Sequence, residues 1–176
     1  MDGAVVVDLK NIQDFSIDPI SNIATVGSGT LLGDLHSRLY NAGQRAVAHG
    51  ACLSVGMGGH FTIGGLGTMS REWGMALDSI REAEVVLANG TIVNASAKHN
   101  QDVLFAIKGA AASFGIVTKF KLNTHPAPRR AVQFSYPLNI GTVAERAQLF
   151  KDWQRFIFPK DLTRRVSSEL VVFGSG

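Results

Sequence analysis

Glycine is concentrated in one segment of this chain, residues 49–67, whose sequence is HGACLSVGMGGHFTIGGLG. Seven of the 19 glycines lie there, together with the one cysteine and two of the five histidines. A regular helix or strand tolerates few glycines, because each lacks the side chain that restricts the backbone and packs against neighbours. We therefore expect an irregular loop here, with its main chain pressed closely against other backbone or against a ligand.

Cys52 and His60 are the residues of this segment that could contact a ligand through their side chains. Cys52 has no second cysteine with which to form an internal disulfide, so it is either a small buried residue or a reactive thiol. His60 either donates a hydrogen bond to a ligand or caps the loop, and the structural role is the commoner one. Exposed amides in a glycine-rich loop often hold pyrophosphate, so a large anionic ligand is one interpretation of the segment.

Composition excludes several classes of function. The formal net charge of +3 is spread along the chain and forms no clustered basic face of the kind that binds nucleic acid. No apolar run approaches the roughly 20 residues of a membrane span, and one cysteine cannot supply a structural zinc cage. We predict a soluble globular protein with no nucleic-acid, membrane or metal partner. Two acceptor tripeptides for N-glycosylation, beginning at Asn89 and Asn94, are compatible with secretion.

Hydrophobic patterning predicts a mixture of strands and helices. Asn89-Gly90 separates two strand-like runs and is the preferred pair for a type I′ turn, while Thr142 and Glu145 are spaced as a helix capping pair. The stiff segment 125–130, HPAPRR, cannot continue a strand, so we place a domain boundary there. The predicted elements are a buried strand at 5–7, a hairpin of 15–17 with 23–26, a helix that follows Thr30 as its N-cap, a hairpin of 82–88 with 91–95, a short helix that Asp102 caps and that reaches 108, strands at 116–122 and 132–136, and a helix at 142–157.

A second glycine cluster, Gly27-Ser28-Gly29, lies between a predicted strand and a predicted helix, where a dinucleotide-binding turn belongs. Its G-x-G-x-x-x-G spacing differs from that of the Rossmann fold, and no acidic residue ends a second strand about 20 residues later. A tight turn followed by a helix is therefore the favoured interpretation. A Rossmann-type nicotinamide enzyme is the alternative.

Short motifs follow one another in a distinctive order along residues 1–130. They are His49-Gly50-Ala51-Cys52, Val55-Gly56, Gly59-His60, Gly64-Gly65 with Gly67, Gly74-Met75-Ala76-Leu77-Asp78, EVVLANG at 84–90 and Phe114-Gly115-Ile116-Val117-Thr118. In these motifs the chain resembles the FAD-linked oxidases of the vanillyl-alcohol oxidase superfamily. Within it, the chain is most similar to fungal glucooligosaccharide and chito-oligosaccharide oxidases and to berberine-bridge-enzyme-like proteins. So many elements in unbroken order are more specific than any single glycine pattern.

The resemblance implies an α+β fold made of two parts. Residues 1–126 would form a PCMH-type FAD-binding domain, mostly its second subdomain, and residues 127–176 the beginning of a truncated substrate-binding domain. In the family, an SGGH-type loop with a flavin-linking histidine precedes this region and the catalytic tyrosine follows it, so no catalytic residue is assigned within the chain. We therefore expect a fragment, and the resemblance suggests that the protein is extracellular.

The resemblance also implies FAD as the cofactor. In the family a cysteine binds C6 of the flavin ring, and Cys52 matches it, so a covalent bond through Cys52 is expected where the flavin site is complete. The implied substrate is a sugar or alcohol, and the implied reaction converts a carbohydrate hemiacetal to a lactone, with O2 as electron acceptor and hydrogen peroxide as product. The alternative is a non-catalytic remnant that binds flavin weakly or not at all. The implied flavin-lining residues are Cys52, Val55, Gly56, Gly59, His60, Gly64 and Gly65, with Ile116 and Val117 through their backbone.

Overall fold

The computed structural model describes residues 3, 5–138 and 141–173 of the chain. The chain forms two compact units, Met1–Ala127 and Pro128–Gly176. The first unit contains all the strands found among the described residues, and the second contains one helix. The assignment of residues 127–176 to a substrate-binding domain stays a prediction.

The first unit is built around a five-stranded antiparallel sheet. In chain order the strands are β1 (Phe15–Ile17), β2 (Ile23–Gly27), β3 (Arg45–Ala46), β4 (Ile80–Val86), β5 (Ile92–Ser96), β6 (Ile116–Asn123) and β7 (His125–Pro126). The large sheet has the order β1-β2-β6-β4-β5, and β3 and β7 form a separate two-stranded sheet. Every strand pair among the described residues is antiparallel, which excludes the parallel sheet of a Rossmann-type nicotinamide enzyme.

Helices and short 3-10 turns complete the fold. The helices are α1 (Leu32–Asn41), α2 (Met57–Thr62), α3 (Ser70–Trp73), α4 (Gln101–Ala110) and α5 (Val143–Ile157), and the 3-10 turns are Ala76–Ser79 and Ala111–Ser113. Of the helices in the described residues, none has both the length and the apolar character that a membrane span requires.

The core of the first unit lies between one face of the large sheet and the helices α1, α2 and α4. Helix α1 buries Leu32, Leu35 and Leu39, whose spacing of three and four residues places them on one side of the helix. Phe61 of α2 and Phe120 of β6 are fully buried, with ring centroids 6.1 Å apart. This packing fixes α2, and with it the glycine-rich segment, against the sheet.

Several predicted elements are confirmed. Strands β1 and β2 form the expected hairpin, β4 and β5 form the next one, and β6 covers the predicted strand. Helix α5 begins with the predicted capping box, in which the Glu145 amide donates to Thr142 Oγ1 at 3.2 Å and the Thr142 amide donates to Glu145 Oε2 at 2.8 Å. Where side chains close in sequence determine the hydrogen bonding, the sequence pattern is therefore sufficient to predict the element.

Two predicted strands are wrong. Residues 5–7 are exposed rather than buried, with 89% of Val5 accessible, and residues 132–136 are exposed and form no strand. A β-branched or aromatic run becomes a strand only where a neighbouring strand supplies hydrogen bonds and a surface to pack on. Among the described residues, neither run has such a neighbour.

Two predicted helix caps and one turn type also need correction. Helix α1 starts after Leu31 without a side-chain cap, and the hydroxyl of Thr30 is buried. Asp102 lies inside the first turn of α4, whose capping residue is Asn100, in a left-handed conformation. The tip of the β4–β5 hairpin is a three-residue loop in which Gly90 alone has a positive φ, so it is not a type I′ turn.

Candidate flavin site

The glycine-rich segment 49–67 contains both an irregular stretch and a helix. The irregular stretch ends in a turn, which closes where the Val55 amide donates to the Cys52 carbonyl at 3.2 Å. The chain then enters α2, so the expectation of a wholly irregular loop is wrong. Met57 and Phe61 lie four residues apart on α2 and are fully buried, and burial of this pair stabilises the helix despite its two glycines.

The turn that carries Cys52 is attached to the start of α1. The Leu32 amide donates to the Val55 carbonyl and the Gly33 amide donates to the Leu53 carbonyl, both at 2.9 Å. The first amides of a helix have no partner within the helix and need one elsewhere. Loop carbonyls meet that need here, which explains why α1 has no side-chain cap.

Ser28 connects helix α2 to strand β6. Its amide donates to the Thr118 carbonyl at 3.0 Å, and its own carbonyl accepts from the Gly58 amide at 3.1 Å. A second bond runs from the Met57 amide to the Thr30 carbonyl at 2.9 Å. Gly58 and Thr118 are the sequence neighbours of the predicted flavin-lining residues Gly59 and Val117, so Ser28 links the two elements that carry them. This role of Ser28 was not among the predictions from the sequence.

The glycines on either side of Ser28 are the feature of the sequence that could have indicated its close contact with other backbone segments. A Cβ at Gly27 would lie 2.4 Å from the Ile12 carbonyl oxygen, and one at Gly29 would lie 1.9 Å from the Leu9 carbonyl oxygen. Only glycine lets the chain pass this close to another backbone segment. The interpretation of Gly27-Ser28-Gly29 as a tight turn followed by a helix is confirmed.

Some glycines of the segment are enclosed by protein. A Cβ at Gly67 would lie 1.8 Å from the His49 carbonyl oxygen, and one at Gly65 would lie 2.3 Å from the Ala76 Cβ. Gly65 also has a φ of 78°, in the left-handed region. The chain itself requires glycine at these positions, whatever ligand the protein binds.

Two other glycines face open space. Apart from the adjacent residues and the backbone of α2 itself, no described atom lies within 4 Å of a Cβ placed at Gly56 or Gly59, and both glycines are exposed. Gly56 immediately precedes α2 and Gly59 is three residues further, so the two lie on the same side of the helix. The neighbouring Gly58 is different, because a Cβ there would lie 2.9 Å from the Ser28 carbonyl oxygen.

His60 holds the segment together as a hydrogen-bond acceptor. Its Nε2 accepts from the Gly50 amide at 2.8 Å, which places the ring proton on Nδ1. His49 lies next to it and donates from Nδ1 to the Gly50 carbonyl at 2.8 Å. Burial, and then the neighbouring His49, lowers the pKa of His60 below its usual value, so the neutral acceptor form is favoured. This hydrogen bond is the structural role considered for His60, and its contact with a flavin stays a prediction.

Cys52 is a free and exposed thiol. Of the two alternatives for Cys52, the small buried residue is excluded, because the turn from Cys52 to Val55 lies on the surface and bonds to α1 through carbonyls. Within the described residues, no cluster of three or more histidine, cysteine, aspartate or glutamate side chains is arranged to hold a metal ion.

The remaining predicted flavin-lining residues differ in exposure. Val55 and Ile116 are 38% and 37% exposed, whereas Val117 is buried in the core with its backbone in the ladder of β6. Gly64 and Gly65 are buried, and their carbonyls accept hydrogen bonds from the amides of residues 77 and 76. Contacts of these residues with a flavin stay a prediction.

Comparison with known proteins places this arrangement in a family. Residues 1–96 match the FAD binding domain family. The chain belongs to that family. Its α+β, PCMH-type fold, which the resemblance implied, is confirmed by solved structures of FAD-linked oxidases, while the extent of the FAD-binding domain beyond residue 96 stays a prediction.

Three relatives illustrate the similarity of this FAD-binding domain. The FAD-linked oxidoreductase sorD of Penicillium rubens is 44% identical over 96% of the chain and 36% of its own length. A xylooligosaccharide oxidase from Myceliophthora thermophila, solved with xylobiose, has a TM-score of 0.67 and 45% identity, over 68% of this chain and 25% of that one. A glucooligosaccharide oxidase from Acremonium strictum, described with a 6-S-cysteinyl, 8α-N1-histidyl FAD, has a TM-score of 0.67 and 38% identity, over 69% and 26%.

The chain therefore spans about a third of the length of the curated relative sorD and about a quarter of the two solved oxidases. The residues present nevertheless fit a flavin. An exposed thiol, glycine main chain with free space beside it, and the partly exposed apolar side chains of Val55 and Ile116 are groups that suit a large, flat and partly apolar ring system.

Proposed function

We propose that this FAD-binding domain serves an oxidase that converts a carbohydrate hemiacetal to a lactone, with O2 as the electron acceptor. The support comes from the relatives, which include xylooligosaccharide, glucooligosaccharide and chitooligosaccharide oxidases. The overall reaction removes two electrons and two protons from the sugar, and O2 takes them up as hydrogen peroxide. When bound, FAD supplies the hydride acceptor for this chemistry.

The observation that carries the flavin part of the proposal is the open space beside Gly59. A glycine inside a helix costs about 0.5–1 kcal/mol relative to alanine. Its neighbour Gly58 is needed because a side chain there would meet Ser28, but nothing in the described structure needs glycine at 59. Close approach of a ligand to the main chain of α2 accounts for it.

Cys52 is the residue that we assign to covalent attachment. Cys52 would hold the flavin covalently through its Sγ, and O2 would be the two-electron oxidant that formation of such a bond requires. The thiol is exposed and its turn is fixed to α1 through the Leu53 and Val55 carbonyls, so it is presented on a rigid support.

Other residues of the chain have supporting roles in this proposal. Val55 and Ile116 give apolar contacts to the ring system, and the Gly56 and Gly59 main chain gives close approach without a side chain. His60, in its neutral form, keeps the segment before Cys52 in place through the Gly50 amide. The proposal also includes export of the protein, which the two N-glycosylation tripeptides are compatible with.

Covalent flavin attachment tests the role of Cys52. The purified chain is incubated with FAD under air and precipitated with acid, and the flavin absorbance of the washed pellet is measured. We expect acid-stable flavin in the natural chain, none in Cys52→Ser, and full incorporation in the matched control Ser54→Ala, which changes an exposed residue of the same turn. Equal colour in the Cys52→Ser pellet contradicts the assignment.

A second measurement tests the oxidase. Protein that has incorporated flavin is mixed with xylobiose, cello- and chito-oligosaccharides, first anaerobically to follow loss of flavin absorbance and then in air to measure hydrogen peroxide. Reduction by at least one of these sugars is expected. If flavin is incorporated but no sugar reduces it, the proposed carbohydrate oxidation is contradicted, whereas absence of flavin incorporation supports the alternative of a non-catalytic remnant.

A further inference from the structure

The hairpin of β4 and β5 contains two acceptor tripeptides for N-linked oligosaccharide, Asn89-Gly90-Thr91 and Asn94-Ala95-Ser96. They begin five residues apart, so they enter any compartment at almost the same moment. We infer that Asn89 is the glycan-bearing residue of this hairpin and that Asn94 is not. The inference requires entry into the secretory lumen but no flavin chemistry.

The first tripeptide lies at the tip of the hairpin, and all three of its residues are exposed. The Thr91 amide donates to Asn89 Oδ1 at 3.0 Å, which leaves Nδ2, the atom that accepts a glycan, with no partner among the described residues. Gly90 has a φ of 80° and open space around it. The tip therefore presents Nδ2 on a sharp turn with nothing in the way of a bulky group.

The second tripeptide is part of strand β5. Its central residue, Ala95, is fully buried, and Asn94 pairs across the ladder with Glu84 of β4. The Asn94 carbonyl accepts from Asn100 Nδ2 at 2.9 Å. To present Asn94 to a transferase, the chain has to pull Ala95 out of the core and break the ladder.

The hydroxyl of the second tripeptide is engaged as well. Ser96 Oγ accepts from the Lys98 amide at 3.3 Å and from the His99 amide at 3.2 Å, and the Ser96 side chain is only partly exposed. Glycan transfer requires the hydroxyl residue of the tripeptide together with its asparagine. In the first tripeptide Thr91 is exposed, whereas in the second this hydroxyl belongs to the turn that follows β5.

The rate of hairpin formation relative to translation also favours Asn89 over Asn94 as the modified residue. A hairpin closes in about 1–10 μs, while a ribosome adds about 5–20 residues per second. Strand pairing of β4 with β5 therefore has time to form before much further chain is made. Asn94 stays exposed in the paired strand, but pairing fixes its backbone in the ladder beside the buried Ala95, whereas the hairpin tip lies outside the ladder.

The modification forms a bond between Asn89 Nδ2 and the anomeric carbon of a lipid-linked oligosaccharide. The amide loses one proton and the lipid diphosphate of the donor leaves, so no oxidant or reductant is needed. Since β5 is an edge strand of the five-stranded sheet, a glycan at the hairpin tip also shields that edge from pairing with another chain.

The test translates the full chain behind a secretion leader in the presence of microsomes. Entry of every variant into the lumen is established by protection from added protease, and glycans are counted by the mobility shift that an endoglycosidase reverses. We expect one glycan on the natural chain, none on Asn89→Gln and one on Asn94→Gln. A protected natural chain without a glycan, a glycan remaining on Asn89→Gln, or two glycans on the natural chain overturns the inference.

Exchanging the hydroxyl residues of the two tripeptides tests whether local structure or the choice of serine or threonine decides which asparagine is modified. Thr91→Ser and Ser96→Thr are combined in one chain, which gives the tip the serine and the strand the threonine. If local structure decides, the single glycan stays at residue 89, as peptide mass spectrometry will show. Movement of the glycan to residue 94 overturns the inference, while the outcome for flavin attachment is unaffected by either result.

Discussion

Gly58 and Gly59 are neighbours on helix α2, and the structure uses them in opposite ways. The side of α2 at Gly58 touches Ser28, so a side chain there would collide with backbone, whereas Gly59 faces outward into open space. The same contrast separates the enclosed Gly65 and Gly67 from the open Gly56. Glycines that are equivalent in the sequence therefore divide into those that the fold requires and those that are left available for a ligand.

The largest effect expected from this comparison is on stability. Gly67→Ala places a Cβ 1.8 Å from the His49 carbonyl oxygen, and the backbone must move, so we expect a loss of about 3 kcal/mol or more in the free energy of unfolding. Gly59→Ala, the matched control, gains about 0.5–1 kcal/mol because alanine favours the helix. Urea unfolding followed by circular dichroism measures both. Similar losses in the two variants contradict the division into enclosed and open glycines.

A smaller effect is expected on flavin incorporation at the open side of α2. Gly59→Leu fills the space beside the helix and keeps a good helix former, so stability should hold while FAD binding weakens about tenfold, which corresponds to about 1.4 kcal/mol. The measurement is the FAD concentration at which acid-stable incorporation is half complete. An exposed residue on α1, in the control variant Ser37→Ala, should leave that concentration unchanged. If Gly59→Leu incorporates flavin as well as the natural chain does, the open space beside Gly59 does not mark a flavin site.

The smallest effect concerns pH. Burial lowers the pKa of His60 below the usual 6.5, so the unfolded chain takes up its proton first as the pH falls. The stability contributed by neutral His60 is complete above about pH 6.5 and is lost as the pH falls from there toward the lower pKa of the folded state. We expect the melting temperature to drop between pH 7.5 and 5.5.

His60→Gln tests the origin of that drop, because glutamine can still accept from the Gly50 amide but does not titrate. The variant should lose less melting temperature over the same pH interval, and His99→Gln, at an exposed position, should behave as the natural chain does. Burial also lowers the pKa of His49, so part of the pH dependence should remain in His60→Gln. If the melting temperature of His60→Gln falls as much as that of the natural chain, His60 is not the origin of the pH dependence.

The parts of the fold that followed from sequence are those that local interactions decide. The β4–β5 hairpin needed only two strand-like runs and a turn-forming pair, and the start of α5 needed only Thr142 and Glu145. Residues 5–7 show the opposite case, because three valines favour a strand but no strand among the described residues pairs with them. The turn at the hairpin tip was wrong in detail, since Asn89 does not adopt the positive φ that a type I′ turn requires.

By itself, the sequence determined that the segment 49–67 comes close to other groups and that it carries a thiol, a histidine and an unusual number of glycines. It also carried enough ordered motifs to indicate the FAD-linked oxidases. Only the tertiary structure decided which glycines are enclosed, that His60 accepts from Gly50, and that Cys52 is exposed. The physical reason is that each of these outcomes depends on atoms brought in by distant parts of the chain, among them Ser28, Ala76 and the start of α1.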